Sequence, residues 1–427
     1  MEDRSGVSES AQQPVIGADP RPVPPDPALA RRGGWLAGAL ALFLVSALVS
    51  FLANWWNGYI DLQVYRNGAQ VWLDGGELYG PMPEVFGIGL PFTYPPLAAL
   101  FFAPLALIPL GLAEAVVLAS SVLSLGITLW LVLARLRPQL DRTTVLPLVI
   151  AAVALAQVFE PVRQTFGFGQ VNLVLMAVVA LDCLVAKPFW PRGLLIGIAV
   201  SVKLIPAGYL LFFLLRRDWK AAGTLVAAAF GAIGLGFVLF PSDSTEYWFH
   251  TLPDTGRIGP PYYAGNQSIK GLAFRLGVSD SLATMIWISL SLVALALAAV
   301  WMHRLLAADA TVSALLVNAA AILLVSPVSW SHHWVWVAPM LLVAAEAIAT
   351  GRRNRLFVGS VAALGIMFLI GPHWLLPHQR DRELDWSWWE QIVGSSYVIA
   401  TFAVLVIAVI AYRPAVSGVR NAASAAA

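Results

Sequence analysis

Asp61 is the carboxylate whose neighbours in the sequence most favour a catalytic role. It follows a long apolar run by about eight residues and lies among Trp55, Trp56, Tyr59 and Tyr65. A carboxylate beside aromatic rings at a membrane surface could act as a general base toward a sugar hydroxyl while the rings stack on the sugar. The alternative is that Asp61 only caps a helix, since aspartate commonly precedes a helical run.

Two adjacent histidines, His332 and His333, lie in the aromatic segment SPVSWSHHWVWV at 326–337. Neighbouring side chains on a helix diverge by about 100°, so we expect only one histidine to face a ligand unless the pair lies in a turn. Histidine suits a hydrogen bond to phosphate or proton transfer near neutral pH. The alternative is an aromatic belt at the membrane interface that contains two incidental polar residues.

Lys203, in the segment SVKLIP, is a cation inside an apolar run, and Pro206 is expected to break the helix just after it. A charge in that setting is costly and usually serves a ligand or an ion partner. The alternative is that the side chain extends to the membrane interface, as lysine readily does. If the helix breaks at Pro206, Lys203 could hold a lipid phosphate.

Further polar and aromatic side chains could bind a sugar or a phosphate. Loop 241–280 places amides beside tyrosines, a combination that is typical of a carbohydrate cleft, although an ordinary interfacial loop could have the same composition. Helix capping explains Asn172 almost as well as binding does. The predicted substrate-binding residues are Tyr65, Arg66, Tyr94, Arg163, Gln170, Asn172, Asn266, Gln267 and Trp334.

The composition determines which elements must position these side chains. The chain has 427 residues, of which 59% are hydrophobic and 12% charged, whereas soluble domains carry roughly 25% charged residues. We therefore predict an all-α polytopic membrane protein with about 11 to 13 transmembrane helices, which excludes a soluble enzyme and a single-pass receptor. The predicted domains are a disordered cytoplasmic tail (1–32), a membrane domain (33–413) and a second cytoplasmic tail (414–427).

Basic clusters follow several apolar runs, at 216–220, 303–304, 352–355 and 413–420. The positive-inside rule assigns them to the cytoplasm, so the loops 54–94, 241–280, 327–333 and 372–393 should share the opposite face, with a short amphipathic helix in the first of them. The residues 192–215 form one predicted span. Arg135, Arg137 and Arg142 fit this alternation only if a helix pair is re-entrant or one apolar run does not cross, and Pro104, Pro109 and Pro206 are candidate break points.

The sequence contains none of the common metal or nucleotide motifs. We find no HExxH, no Walker A loop and no Cys/His cluster, and we predict no cofactor and no divalent metal. Cys183, the single cysteine, is predicted to be a small buried filler. The net charge of +2 comes from residues between apolar runs, so no nucleic-acid partner is expected. The substrate is expected to arrive in the membrane.

Five motifs in chain order carry a resemblance to a known family. They are DxxVY at 61–65, YPPL at 94–97, GQVN at 169–172, KxxP at 203–206 and SWSHHW at 329–334. In this order they resemble the mainly mycobacterial polyprenol-phosphate-mannose-dependent α-(1→2)-mannosyltransferases of the membrane GT-C superfamily. The resemblance extends from about residue 35 to 412, and chain length and loops favour the branch that modifies the mannan of lipomannan and lipoarabinomannan.

This resemblance implies a GT-C fold, a general base at Asp61, a polyprenol-phosphate-mannose donor and transfer with inversion to a mannosylated glycolipid. Lys203, His332 and His333 are the candidates for stabilising the leaving phosphate. The expected location is the cell membrane, with the active site on the periplasmic side. Two alternatives stay open: an arabinofuranosyltransferase that uses polyprenol-phosphate-arabinose, and a lipid-linked sugar transporter, whose polar residues would lie near the bilayer midplane.

Overall fold

The computed structural model describes residues 27–411. The predicted C-terminal tail, and the predicted N-terminal tail up to residue 26, lie outside the described residues. The described residues form α-helices and short turns without a strand, which confirms the all-α prediction. The helices are α1 (Pro27–Leu52), α2 (Ile60–Leu73), α3 (Leu97–Ala106), α4 (Leu110–Leu136), α5 (Arg142–Ala156), α6 (Glu160–Phe168), α7 (Asn172–Leu184), α8 (Leu194–Val200), α9 (Leu210–Leu215), α10 (Trp219–Leu239), α11 (Pro241–Glu246), α12 (Ile269–Arg275), α13 (Asp280–Ala307), α14 (Thr311–Val325), α15 (Val337–Ala349), α16 (Arg355–Ile370), α17 (Trp388–Gly394) and α18 (Ser396–Ala411).

Several helices are suited to the hydrocarbon interior of a bilayer. Within the described residues, 5 are long and apolar enough to cross it, and two bent pairs, α5 with α6 (81°) and α17 with α18 (76°), could each form one more span. Large apolar side chains stay exposed on these helices, for example Leu44 at 65% on α1 and Leu292 at 63% on α13. Such surfaces favour lipid as the surrounding solvent. The chain is therefore a multi-pass membrane protein.

The region between α1 and α4 contains two helices, neither of which is among the long apolar helices suited to crossing the membrane. The predicted amphipathic helix is present as α2, whose Leu62 and Ala69 are fully buried. The next helix, α3, has 10 residues, which is about 15 Å and half of the hydrocarbon thickness. If neither helix crosses, α4 brings Arg135 to the side on which α1 begins. A short α3 therefore favours the alternative in which one apolar run does not cross, and in that arrangement the early basic residues obey the positive-inside rule.

The predicted span 192–215 is wrong as one continuous helix. It consists of α8, a turn at 201–204, a 3₁₀ turn at Ile205–Tyr209 and α9. A Cβ on Gly193 would lie 2.2 Å from the Ala221 oxygen, and a Cβ on Gly197 would lie 2.6 Å from the Leu225 oxygen, so α8 runs parallel to and closely against α10. Since α10 begins just after α9, both ends of the segment lie beside the start of α10. We call residues 194–215 the hairpin.

Lys203 lies at the tip of the hairpin. The helix ends at Val200, before Lys203, and not after it at Pro206 as we expected. Beneath the tip, the buried core contains side chains of α4, α5, α7, α13 and α14. Cys183 on α7 belongs to this core and is 1% exposed, so its predicted role as a buried filler is confirmed.

Candidate active site

A cavity of about 1150 Å³ opens between α2, the hairpin, α14 and the loops that were predicted to share one face. It has two parts of different chemistry. The polar end contains Asp61, Tyr94, Gln170, Lys203, His332 and His333. The apolar arm contains Leu204, Ile205, Leu210, Leu211, Leu214, Leu295, Ala321, Ile322 and Val325, with the single amide Asn318. The polar end therefore unites residues that lie far apart in the sequence.

Asp61 lies in the first turn of α2 and is half-buried at the cavity wall. Tyr59, not Asp61, occupies the N-cap position, and no side-chain cap is formed there, so the capping role is not what the structure shows. One carboxylate oxygen of Asp61 accepts a hydrogen bond from the Gln170 amide at 3.1 Å. Burial raises the pKa of Asp61 to about 6, although the charge of Lys203 and the hydrogen bond from Gln170 partly offset this effect.

Gln170 is held so that its amide nitrogen faces Asp61. The Tyr65 hydroxyl donates to the Gln170 oxygen at 2.5 Å, and the Gln170 nitrogen lies 3.3 Å from the Tyr94 hydroxyl. Gly169 ends α6 with a φ of 65° and turns the chain into this position. Tyr65 is fully buried and does not line the cavity. It therefore orients Gln170 and does not make the predicted contact with the substrate.

The Lys203 ammonium donates to the Asn172 side-chain oxygen at 2.8 Å and lies 3.1 Å from His333 Nε2. Because an ammonium group only donates, His333 Nε2 must accept, and Nδ1 carries the ring proton. Among the described residues, neither His333 Nδ1 nor His332 Nε2 has a hydrogen-bond partner, although both are buried. A cation beside two buried ring nitrogens without partners is a suitable environment for a phosphate group.

The two histidines lie in a 3₁₀ turn at Ser331–Trp336, with ring centroids 4.8 Å apart. Both line the cavity, which is the exception that we allowed for a pair lying in a turn. The turn is fixed from behind, because the Thr165 hydroxyl and the Asn172 amide each donate to the His332 carbonyl at 2.9 Å. Asn172 therefore acts through Lys203 and His332, since it does not line this cavity.

Arg66 and Arg163 do not reach the cavity, which corrects their assignment as substrate-binding residues. The Arg66 guanidinium donates to the carbonyls of Leu105 and Ile108, where it holds the turn between α3 and α4. Arg163 donates to the Leu369 carbonyl at 3.1 Å and lies 5.0 Å from the ring centroid of Trp55. In both cases carbonyl groups left unpaired near helix ends attract the cation.

Asn266, Gln267 and Trp334 are also absent from the cavity wall. Asn266 donates to the Pro261 carbonyl, and Gln267 donates to the Gly394 carbonyl at 2.7 Å, so these buried amides pair with loop backbone. Trp334 is 1% exposed and donates to the Gln267 carbonyl. The predicted cleft of amides is thus a structural network, because buried backbone groups must find partners where no helix supplies them.

Four further cavity residues were not among the predicted binding residues, although Tyr263 belongs to the loop 241–280, whose composition is typical of a carbohydrate cleft. Trp374, Trp330, Tyr263 and Arg257 line the cavity, all in segments between helices. Glu160, which is 0% exposed, lies behind this wall and accepts hydrogen bonds from Ser331, Trp374 and Tyr397. A glutamate within an apolar run is costly unless it has partners, and this signal could have identified Glu160 in the sequence.

Comparisons with known proteins agree with this arrangement. Residues 92–327 match the model of glycosyltransferase family 87. The chain is 41% identical over 406 residues to the polyprenol-phosphate-mannose-dependent alpha-(1-2)-phosphatidylinositol mannoside mannosyltransferase of Mycolicibacterium smegmatis, covering 88% of this chain and 91% of that protein. The protein of the same description from Mycobacterium tuberculosis is 41% identical, with coverage of 82% and 84%.

A more distant relative is the alpha-(1->3)-arabinofuranosyltransferase of Corynebacterium glutamicum. It is 31% identical over 254 residues, which is 58% of this chain and 57% of that protein. No solved structure matches the chain. The relatives that match most of the chain are thus mannosyltransferases.

Proposed function

The chain belongs to glycosyltransferase family 87, and on that premise we propose that the cavity transfers mannose from polyprenol-phosphate-mannose to a phosphatidylinositol mannoside. The product would carry an α-(1→2) linkage formed with inversion. The observation that carries this proposal is that one cavity combines the Asp61 carboxylate, the cation Lys203 and a long apolar arm. Transfer from a lipid-linked donor needs all three: a base for the acceptor hydroxyl, a cation for the donor phosphate and an apolar arm for the donor lipid.

The donor would place its two chemically different parts in the two parts of the cavity. Leucine and isoleucine side chains of the hairpin and of α14 offer the apolar arm to the polyprenyl chain. Lys203, the protonated Nδ1 of His333 and His332, in the tautomer that carries its proton on Nε2, would hold the phosphate. Charged and neutral hydrogen-bond donors that are already in place can stabilise the leaving phosphate as its negative charge develops.

Asp61 would act on the acceptor. Its carboxylate removes the proton of the acceptor hydroxyl while that oxygen bonds to the anomeric carbon and the bond from this carbon to the phosphate oxygen breaks. The products are the extended mannoside, polyprenyl phosphate and a protonated Asp61, which later returns its proton to water. Gln170 orients the carboxylate through the bond at 3.1 Å, so Asp61 needs little reorganisation during the reaction.

We also propose that the cavity opens on the periplasmic side of the cell membrane. Basic clusters follow α9 and α15 and occupy the last turn of α13, at helix ends opposite to those that lead into the loops of the cavity. Cysteines introduced at exposed Asn57 and Ser242, in a Cys183→Ala background, should react with an impermeant maleimide on intact cells. A cysteine at exposed Arg353 should react only after lysis, and the reverse pattern would contradict this orientation.

The test of the proposed function is transfer by purified protein. Radiolabelled polyprenol-phosphate-mannose should label a phosphatidylinositol mannoside, and linkage analysis should identify an α-(1→2) product. Mannan acceptors from lipomannan are tested in parallel, since that branch stays a prediction. Transfer from polyprenol-phosphate-arabinose without transfer from the mannose donor would favour the arabinofuranosyltransferase alternative.

A further inference from the structure

We infer that Tyr263, Trp330 and Trp374 form a subsite that binds a second sugar ring of the acceptor. This inference rests on the proposed function, because it assumes that a mannoside enters the cavity. The three residues lie on segments that are distant in the sequence, and all three line the cavity and are half-buried. We call them the aromatic subsite.

The rings of the aromatic subsite are in contact with one another. The ring centroid of Tyr263 lies 5.7 Å from that of Trp330 and 6.0 Å from that of Trp374, with interplanar angles of 76° and 62°. Tyr263 therefore contacts both tryptophans, and the planes of the three rings differ. A pyranose presents carbon-bound hydrogens on its faces and hydroxyls around its edge, so aromatic rings that line a cavity can contact the faces while the hydroxyls stay hydrated.

Gly265 allows the rings of Tyr263 and Trp374 to lie close together. A Cβ on Gly265 would lie 2.9 Å from Tyr263 Cε1 and 3.1 Å from Trp374, so any other residue would push the rings apart. Gly265 also accepts a hydrogen bond from the Ser331 backbone at 2.8 Å, which ties the Tyr263 loop to the Trp330 turn. The backbone thus fixes the spacing of two rings that come from different loops.

Glu160 fixes the third ring from behind. One of its carboxylate oxygens accepts hydrogen bonds from Trp374 Nε1 and from the Ser331 hydroxyl, both at 2.7 Å. The other oxygen accepts from the Tyr397 hydroxyl at 2.9 Å. A fully buried carboxylate with three hydrogen-bond donors holds Trp374 and Ser331 in one arrangement, and Ser331 directly follows Trp330. We assign Glu160 as a positioning residue of the aromatic subsite.

Tryptophans elsewhere in the same outer segment have a different environment. Trp388 and Trp389 are 77% and 49% exposed and do not line the cavity, as expected of residues that anchor a protein at a membrane interface. Trp374 instead donates to a buried carboxylate and faces the cavity. Since the donor sugar is bonded directly to the phosphate at the polar end, the aromatic subsite is available to the acceptor.

The test compares neutral acceptors of increasing length: octyl α-mannosides with one, two and three mannose residues. The unmodified protein should have a higher kcat/KM for two residues than for one. Trp374→Ala and Trp330→Ala should abolish this gain, raising the KM for the longer acceptors about five- to tenfold with an unchanged KM for the donor. Trp374→Phe should restore part of the gain, and Glu160→Gln should raise the acceptor KM with less effect on the donor KM. Trp389→Ala is the matched control and should behave like the unmodified protein.

A second readout separates this inference from the proposed function. Methyl α-mannobioside should bind to purified Asp61→Asn protein in ligand-observed NMR, and the added Trp374→Ala substitution should remove the signal. Equal kcat/KM values for all acceptor lengths, a rise in donor KM alone, or unchanged mannobioside binding in the double variant would overturn the aromatic subsite. Failure of mannose transfer with binding intact would contradict the proposed function and leave the subsite supported.

Discussion

The polar end and the apolar arm of the cavity differ in how their residues are held. In the polar end, Asp61, Gln170 and Lys203 come from separate parts of the chain, and each is fixed by a hydrogen bond to another part. The apolar arm is formed by the faces of the hairpin, α13 and α14, which meet through apolar contact. Catalysis and phosphate binding in the polar end therefore depend on individual side-chain atoms. Binding of a lipid chain in the apolar arm depends on the volume of the arm.

The largest effect that this comparison predicts is at Asp61. Asp61→Asn keeps the shape of the side chain and removes the basic oxygen, so transfer should fall by about 10² to 10⁴-fold, roughly 3 to 5 kcal/mol of barrier. Initial rates of purified protein measure this loss. Asp74→Asn, at the exposed end of the same helix, is the control and should retain activity. Near-normal transfer by well-folded Asp61→Asn would require another base.

A smaller effect is expected at Lys203. Lys203→Gln can still donate a hydrogen bond but lacks the charge, and a charge-assisted bond contributes about 1.5 to 3 kcal/mol. The KM for the donor should rise on the order of tenfold to a hundredfold, while the KM for the acceptor changes little. The exposed Lys220→Gln serves as the control. Equal changes in the KM values for donor and acceptor would contradict the role of Lys203 in binding the donor phosphate.

The pH dependence gives a third test of the polar end. A general base must be deprotonated, and the pKa of Asp61 is raised to about 6. The turnover rate should therefore be constant well above this value and fall about tenfold per pH unit below it. Rates between pH 4.5 and 8 measure the profile. A rate that stays flat down to pH 4.5 would be inconsistent with a base of raised pKa.

The smallest effect is expected in the apolar arm. Val325→Phe narrows the arm without changing any charge, and the KM for a long-chain polyprenol donor should rise about two- to fivefold. A donor with a short tail should be affected less, because it does not fill the arm. Val226→Phe, on the lipid-facing side of α10, is the control. A rise in KM that does not depend on the length of the donor tail would contradict binding of the polyprenyl chain in the apolar arm.

The sequence predicted the local features well. The amphipathic α2 and the position of Asp61 near its start follow from local periodicity and polarity, which a single segment contains. A re-entrant helix pair was one of the alternatives left open, but it was not assigned to 192–215, because α8 and α9 are as apolar as one continuous span and periodicity alone cannot separate the two. Lys203 and Pro206 indicated a break but not the return of the chain.

The sequence also could not predict which amide side chains line the cavity and which pair with backbone groups. Gln170, Asn266 and Gln267 each lie beside aromatic residues, yet only Gln170 lines the cavity. The difference arises from backbone carbonyls that lie close in space but are distant in sequence, such as Gly394 for Gln267. Which polar side chain completes a loop and which faces a ligand is decided by tertiary contacts.

The hairpin also constrains the order in which the chain can assemble. With 7 residues in α8 and 6 in α9, neither half can be inserted as an independent span. The polar turn at 201–204 needs covering partners: α10 lies along α8, and His333 contacts Lys203. Because His333 is synthesised 130 residues after Lys203, the tip must wait for more than a hundred later residues before it is complete. The polar end of the cavity therefore cannot reach its final arrangement until most of the chain has been synthesised.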